Sequence, residues 1–430
     1  MKQGKTKESG HDEPICVSKR ATLKLLGAGG VLLSGGALSL PAVATSETAA
    51  CDNRTRAHAI PYQGKHQAGV ITPEQKEAIF LSLNLTVSTL DEVETVFKRL
   101  TDCIARLTQN RQAGKMTNDR MPPAESGILG TYLYADELTI TVSLGYSLFD
   151  SRFGLTSLKP KKFVAMTAFP NDQLEAAWCG GDILLQFCAN SRETVIYALR
   201  DMLRHLSGVV APQWKIDGFL PARDIECRTT PINLFGFKDG TGNADAKDDA
   251  LMNDLVWINQ KEPSWIENGS YQAVRLIRFA LNFWDRTPLE DQENDFGRYK
   301  DSGAPIGKQH EHDDPAFNHD PHGDRVLFDS HMRRAEPRNP QRHVSKLRRR
   351  SYSYSLGLTS TGQLDMGLVF VSFQNDLKKG FIDTQNRLNG EPLERYIKPF
   401  GGGYYLVLPG ITSKNGYIGQ SLIRAARALT

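Results

Sequence analysis

Three times along the chain an apolar run gives way to a polar residue suited to capping a helix, and then to apolar residues three and four positions apart. The first run is Ile79–Leu85, followed by Thr89-x-x-Glu92 and a face of Val93, Val96, Phe97, Leu100, Ile104 and Leu107. The second is Ile183–Phe187, followed by Asn190-x-x-Glu193 and a face of Val195, Leu199, Met202, Leu203 and Leu206. The third is Leu368–Phe373, with Asn375 or Asp376 as cap and Asn389-Gly390 as the stop. A short apolar run predicts a buried strand, and the 3.6-residue period after it predicts an amphipathic helix whose start the capping box marks.

Further strands are expected at Thr139–Ser147, Tyr271–Leu281, Tyr352–Leu358 and Tyr404–Leu408. Strands grouped around a few long helices predict an α+β fold with helices packed on antiparallel sheets. The recurrence predicts two related ferredoxin-like halves, an N-terminal one over 55–225 and a C-terminal one over 226–430. The stretch from Asp285 to Ser345 breaks this pattern, being polar, charged and almost without apolar periodicity. An insertion of that length within a compact fold is functional or disordered.

Of the 430 residues 40% are apolar and 23% charged, which excludes a wholly disordered chain, a collagen-like fibre and a multi-span membrane protein. The formal charge of +3 lies in residues 1–44, which carry six Lys/Arg and three Asp/Glu. The remainder is neutral and offers no electrostatic case for nucleic acid or an anionic membrane. Residues 1–44 read as an export signal. A basic stretch ends at Ser18-Lys19-Arg20, an uncharged Leu/Gly/Ala run spans Leu25–Leu40, and Ala42-x-Ala44 supplies the small residues of a cleavage site. Ser18–Lys24 is similar to a twin-arginine motif with Lys19 in place of the first arginine, and Sec export is the other route open to it. Removal of this segment leaves five cysteines, Cys51, Cys103, Cys179, Cys188 and Cys227, none in a C-x-x-C spacing. Cys179 and Cys188 flank a strand and read as small core residues.

Three segments carry candidate chemistry. Gly236-Phe237-Lys238-Asp239-Gly240-Thr241-Gly242-Asn243 is either a surface turn or a loop presenting Asp239 to a ligand; it lacks the Gly-Lys-Ser/Thr of a phosphate-binding loop. His331 precedes an Arg-rich run with eight basic residues and one acidic one between Arg333 and Arg350. That run suits a dianionic small ligand better than nucleic acid, because its only aromatic neighbours lie at the strand-like end. His310, Glu311, His312, Asp313, Asp314, His319, Asp320, His322 and Asp324 form either a metal-binding loop or a solvated one.

Gly236-x-x-Asp239-Gly240, then Ser330-His331, then Arg349 eighteen residues on and before Tyr352-Ser353-Tyr354, resembles the dye-decolourising peroxidases. The likeness is to their exported, iron-uptake-associated deferrochelatase/peroxidase branch. It covers nearly the whole chain after residue 44. Tyr62–Val70, Cys179–Gln186, Phe283–Arg286, Asp301–Pro305 and Gly367–Phe370 follow in the family's order. The resemblance implies a tandem ferredoxin-like fold binding one haem b, mainly through the C-terminal half. It implies His331 as proximal ligand of the haem iron, with Asp239 as acid/base and Arg349 as electrostatic partner on the distal side. Gly240, Thr241 and Gly242 would approach the haem by their backbone. Glu336, Pro337 and Arg338 would pass its propionate edge, and Leu368 and Phe370 would line the distal pocket. Glu336 stands where the family has Asn, and Ser351 where it has Gly.

The expected activity is that of an exported, periplasmic haem peroxidase that reduces H2O2, oxidises a second substrate and is linked to iron uptake. The alternatives are release of iron from haem with the tetrapyrrole left intact, and a periplasmic metal-binding partner of an iron transporter using the His310–Asp324 loop. Expected partners are H2O2, a reducing substrate or haem, and components of an iron-uptake transporter, with no nucleic acid. Self-association into a homo-oligomer is left open.

Overall fold

In the computed structural model the described residues are 56–114, 120, 122–221, 229–259, 262–338 and 347–429, all within the compact unit Cys51–Thr430. The export-signal segment 1–44, Cys51, Cys227 and residues 339–346 lie outside them. No helix among the described residues is long and apolar enough to cross a membrane.

Eight long strands form the frame: β1 (Glu77–Leu85), β2 (Thr139–Gly145), β3 (Ile183–Ala189), β4 (Val210–Phe219), β5 (Ser270–Phe279), β6 (Tyr352–Leu358), β7 (Leu364–Gln374) and β8 (Ile397–Val407). Their order is β5-β8-β2-β3-β1-β4-β6-β7, and β7 pairs back with β5, so the antiparallel sheet closes into a ring. The first four strands run β2-β3-β1-β4 and the last four β6-β7-β5-β8, which is the same ferredoxin-like order twice. The halves meet where Tyr405–Val407 pair with Ser143–Gly145, and where Phe219 pairs with Ser353. Closure removes the exposed edges that an open sheet would present.

Strand alternation sorts the core. Ile79, Leu81 and Leu83 of β1 face α1 (Leu90–Leu107) and α2 (Arg192–His205), while Ala78 and Phe80 join Trp214, Tyr352, Val369 and Tyr405 from both halves in a second cluster. The α1 capping box forms as expected, with Thr89 Oγ1 accepting from Glu92 N and the Glu92 carboxylate accepting from Thr89 N. The expected box at Asn190-x-x-Glu193 does not. Helix α2 starts one residue later, Asn190 donates to Glu137, and Ser191 N–H is taken by Asp136. A tertiary carboxylate thus supplies the acceptor that a local cap would have offered.

Sequence periodicity misses β4, because only Trp214, Ile216 and Gly218 point inward and Pro212 sits where the register with β1 shifts. It also starts β8 seven residues late, because Pro399 and Gly401–Gly403 mask a strand whose glycines pack against neighbouring backbone. Of the two thiols read as core residues, Cys188 is buried and Cys179 half-buried.

Candidate active site

The glycine-rich segment is a turn and also presents a carboxylate. Ile232 bridges Lys238, Asn233 Oδ1 accepts from the backbone of Phe235 and Phe237, and Gly236 takes a φ of +84° that favours glycine. Phe235 stacks on Phe279 and Phe237 on Phe296, at 3.9 and 4.0 Å between ring centres, so the turn is bolted to the core by aromatic contact. Asp239 emerges from it with its N–H held by Pro231 O. Asp239 Oδ1 then accepts from Arg349 Nη1 at 2.8 Å. Arg349 belongs to the two-residue strand Arg348–Arg349 on β7, and Asn243 holds its backbone from both sides, accepting its N–H at 2.9 Å and donating to its carbonyl at 3.0 Å. Alternation turns the neighbouring arginines away. Arg348 reaches Glu74, and fully buried Arg350 reaches Gln75 and the carbonyl of Thr72. Arg349 alone of the three lines the cavity.

His331 opens the short helix α4 (His331–Ala335), which follows α3 (Leu289–Phe296) in the polar insertion. Buried Arg333 fastens α4 to Asp320 and Val326 O, and Arg387 of α5 (Asp383–Leu388) donates to the carbonyls of Arg334 and Ala335. His331 Nδ1 donates at 2.7 Å to the carboxylate of Glu391, a buried residue. Burial pushes the imidazole pKa down, but the charge and hydrogen bond of Glu391 outweigh it and hold it above the ordinary value. The charges of Arg349 and Asp239 also act on this ring, with opposite signs. With Nδ1 so occupied, Nε2 is the nitrogen left for a ligand.

Asp239, Arg349, His331 and Glu391 share one cavity of about 260 Å³. Its wall includes Asp239, Gly240, Thr241, Gly242, His331, Glu336, Arg338, Arg349, Leu368 and Phe370. Of the residues expected at the site only Pro337 is absent from the wall; it is half-buried between two residues that do line it. Sequence reading missed Glu391, Arg298, and the Phe169–Asp172 segment that the N-terminal half contributes. Asp172 forms a buried ion pair with Arg275, which also lines the cavity. Burial, reinforced by the positive field of Arg338, brings Arg298 down to about 10, so it stays cationic at neutral pH. Nothing in local sequence marks Glu391, since it meets His331 across sixty positions.

The His310–Asp324 loop is not drawn together around an ion. Among the described residues, the one cluster of three potential ligands is Cys103, Asp201 and His205, far from this loop in sequence and spanned by the guanidinium of Arg106. The acidic residues of the loop serve as anchors instead. Asp320 binds Arg333, Asp314 binds Arg338 at 2.9 Å, and Glu311 accepts from Thr230, Lys238 and Thr241.

A closed ring of two ferredoxin-like halves, holding a cavity with one carboxylate-backed histidine and an aspartate–arginine pair, has the make-up of a haem-binding enzyme. Residues 67–220 match the Dyp-type peroxidase N-terminal family and 230–412 the Dyp-type peroxidase C-terminal family. The chain is 48% identical over 425 residues to the deferrochelatase of Escherichia coli strain K12, covering 97% of this chain and 99% of that one. A DyP-type peroxidase from Cellulomonas bogoriensis superposes with a TM-score of 0.76 at 32% identity, over 86% of this chain and 99% of its own. Ferric DtpA from Streptomyces lividans gives 0.77 at 28%, over 86% and 98%. The chain belongs to the Dyp-type peroxidase family, and its cofactor is haem.

The residues present fit that cofactor. One imidazole is available through Nε2. Apolar Phe296, Leu368, Phe370 and Leu388 face the cavity beside cationic Arg298, Arg338 and Arg349. This combination suits a flat apolar macrocycle bearing carboxylates. At Gly240 φ is +142°, a conformation that lets backbone stand in the wall where a side chain would strain.

Proposed function

We propose that this chain is a haem peroxidase that reduces H2O2 to two waters, while two donor molecules each give up one electron and one proton. The observation that carries the reading is the Asp239–Arg349 pair at 2.8 Å in the wall of the cavity that His331 shares. Held by His331, the haem would supply a redox-active iron for peroxide reduction, and the two donors would restore the electrons it gives up. Asp239 takes a proton from one peroxide oxygen and returns it to the leaving one. The Arg349 guanidinium stabilises the negative charge that develops as the O–O bond breaks. Its two contacts from Asn243 and its bond to Asp239 orient it beforehand. Glu391 orients His331 and raises its basicity as a ligand.

A second reading is favoured by the identity to a deferrochelatase over almost the full chain. In it the same cavity takes haem as substrate, and two protons replace the iron on the pyrrole nitrogens. A product assay separates the two. Oxidised donor formed in proportion to peroxide supports the peroxidase, whereas metal-free porphyrin and iron formed without peroxide overturn it as the main activity. The protein is taken to be exported to the periplasm by the segment 1–44 and to serve iron uptake there. N-terminal sequencing of exported protein should find Thr45 first, and retention of residues 1–44 would overturn the cleavage.

A further inference from the structure

We propose that Glu311 is a positioning residue for the acid/base chemistry, holding the ammonium of Lys238 away from Asp239 so that Arg349 is the one cation paired with that carboxylate. The inference rests on Asp239 acting as proposed above.

Lys238 and Asp239 are consecutive, and both line the cavity. An ammonium next in chain to a carboxylate is its natural rival partner, and Lys has the reach and flexibility to turn to it. In the structure it turns elsewhere: Lys238 Nζ donates to Glu311 Oε2 at 2.5 Å, while Asp239 is taken by Arg349. Glu311 is built for that task. Its other oxygen accepts from Thr241 Oγ1 at 2.8 Å and from Thr230 Oγ1, so donors on both sides of Asp239 converge on one carboxylate. Its own carbonyl accepts from Arg298 Nη1 at 3.0 Å, which fixes the backbone that carries it. Burial alone would raise the Glu311 carboxyl, but Lys238 and the two threonines bring it below the ordinary range, so it stays anionic and keeps its hold.

The geometry also explains why an acidic, histidine-rich loop resembling a metal site lies beside this cavity: its best-placed carboxylate is spent on a lysine. Were Lys238 released, it would compete with Arg349 for Asp239. A second cation beside Asp239 favours the carboxylate over the protonated acid, so the proton would be returned less readily to the leaving oxygen. The titratable and charged groups lining the cavity with Asp239 are Arg349, Lys238, Arg298, Arg338, Arg275, Glu336, Asp172, Glu391, Glu394 and His331.

The test is a double-variant cycle on the haem-loaded protein. Glu311→Gln keeps the shape and an acceptor for both threonines but frees Lys238. Its kcat/KM for H2O2 should fall about tenfold, the effect of roughly one unit of pKa, with KM for the reducing donor unchanged. Adding Lys238→Met should restore the rate to within about twofold of the parent, because the rival cation is gone. Two further readouts go beyond turnover. The acid limb of the kcat/KM profile should move to lower pH in the single variant and return in the double one. In haem-free protein, amide exchange of Gly240–Gly242 should be the same in both. An unchanged rate in Glu311→Gln, or a loss that Lys238→Met does not rescue, overturns the inference. If Glu311→Gln fails to fold, the Lys238→Met background decides: loss of Glu311 should cost less than about twofold there, and a tenfold loss is fatal. Asp239→Asn is the separate control. If it reacts at the parental rate, the acid/base assignment has failed, whatever Glu311 does.

Discussion

The two halves of the ring carry the same four strands in the same order, yet one is sealed by helices and the other is hollow. In the N-terminal half α1 runs for 18 residues and α2 for 14, and Val93, Val96, Phe97 and Leu100 are wholly buried against β1. In the C-terminal half the matching layer is broken. Among the described residues, its α-helix between β5 and β6 is reduced to Leu281–Trp284, α3 and α4, of four, eight and five residues, and between β7 and β8 there is a π-helical turn, Lys378–Ile382, with the six residues of α5. The gap left by these fragments is the cavity. The frame is shared, and function follows from interrupting the helical layer that covers it. The polar groups so exposed are satisfied in pairs, Asp239 with Arg349 and His331 with Glu391, because an unpaired charge in such a place costs several kcal/mol.

The sharpest way to break this comparison is to delete one side chain from each half. His331→Ala should abolish stable haem binding, read as loss of the Soret band on gel filtration, while the urea midpoint of the haem-free protein hardly moves. Phe97→Ala should do the reverse, lowering unfolding stability by about 3–5 kcal/mol with the haem spectrum kept in the folded protein. Haem loss from Phe97→Ala at full stability would mean that the halves are not energetically distinct.

Next in size are the paired charges. Arg349→Leu should slow the reaction with peroxide by ~10²–10³, the usual effect of losing a donor to a developing anion. Asp239→Asn should slow it by ~10²–10⁴. Stopped-flow mixing with H2O2 measures both, and both variants should still bind haem. Arg348→Leu and Arg350→Leu should instead lower stability, since their partners lie away from the cavity. If either of these stops the reaction while Arg349→Leu does not, the wrong arginine faces the site.

The pair His331–Glu391 predicts a pH dependence of haem-free stability. The folded histidine holds its proton above the unfolded value of ~6.5. Its contribution is therefore fully present below that value and is lost as pH rises through the folded pKa. Glu391→Gln should remove this slope, measured as unfolding free energy between pH 5 and pH 8, and should weaken haem retention without abolishing it. A slope that persists unchanged in Glu391→Gln would separate the two residues. The smallest effect belongs to the sealed half: Thr89→Ala should lose about 1 kcal/mol by removing the cap of α1 and leave the peroxide reaction at the parental rate.

How much of this was legible beforehand follows the same division. Helix α1 was readable to its first residue, because its capping box and apolar stripe are local features that tertiary packing then reuses. The box at Asn190 failed because Asp136, 55 residues upstream of Ser191, offered a better acceptor. Strands that alternate around proline or consist of glycine, β4 and the start of β8, carry too few apolar side chains to register as a pattern.

The sequence by itself determined the fold class and the repetition of the strand unit, because periodicity and residue chemistry survive without coordinates, and its resemblance to a family singled out Asp239, His331 and Arg349 as candidates, which the structure brings to one cavity. Given Arg349 inward, alternation on a strand turns Arg348 and Arg350 away from the cavity. Only the tertiary structure decided that two half-sheets close into one ring, that Glu391 backs His331, and that the acidic loop anchors the cavity. Ring closure and the His331–Glu391 pair join groups sixty or more positions apart, and Glu311 of the loop reaches Thr241 and Lys238 across 70 and 73. Hydrogen bonds and ion pairs act over a few ångströms of space and leave no periodic trace in the order of residues.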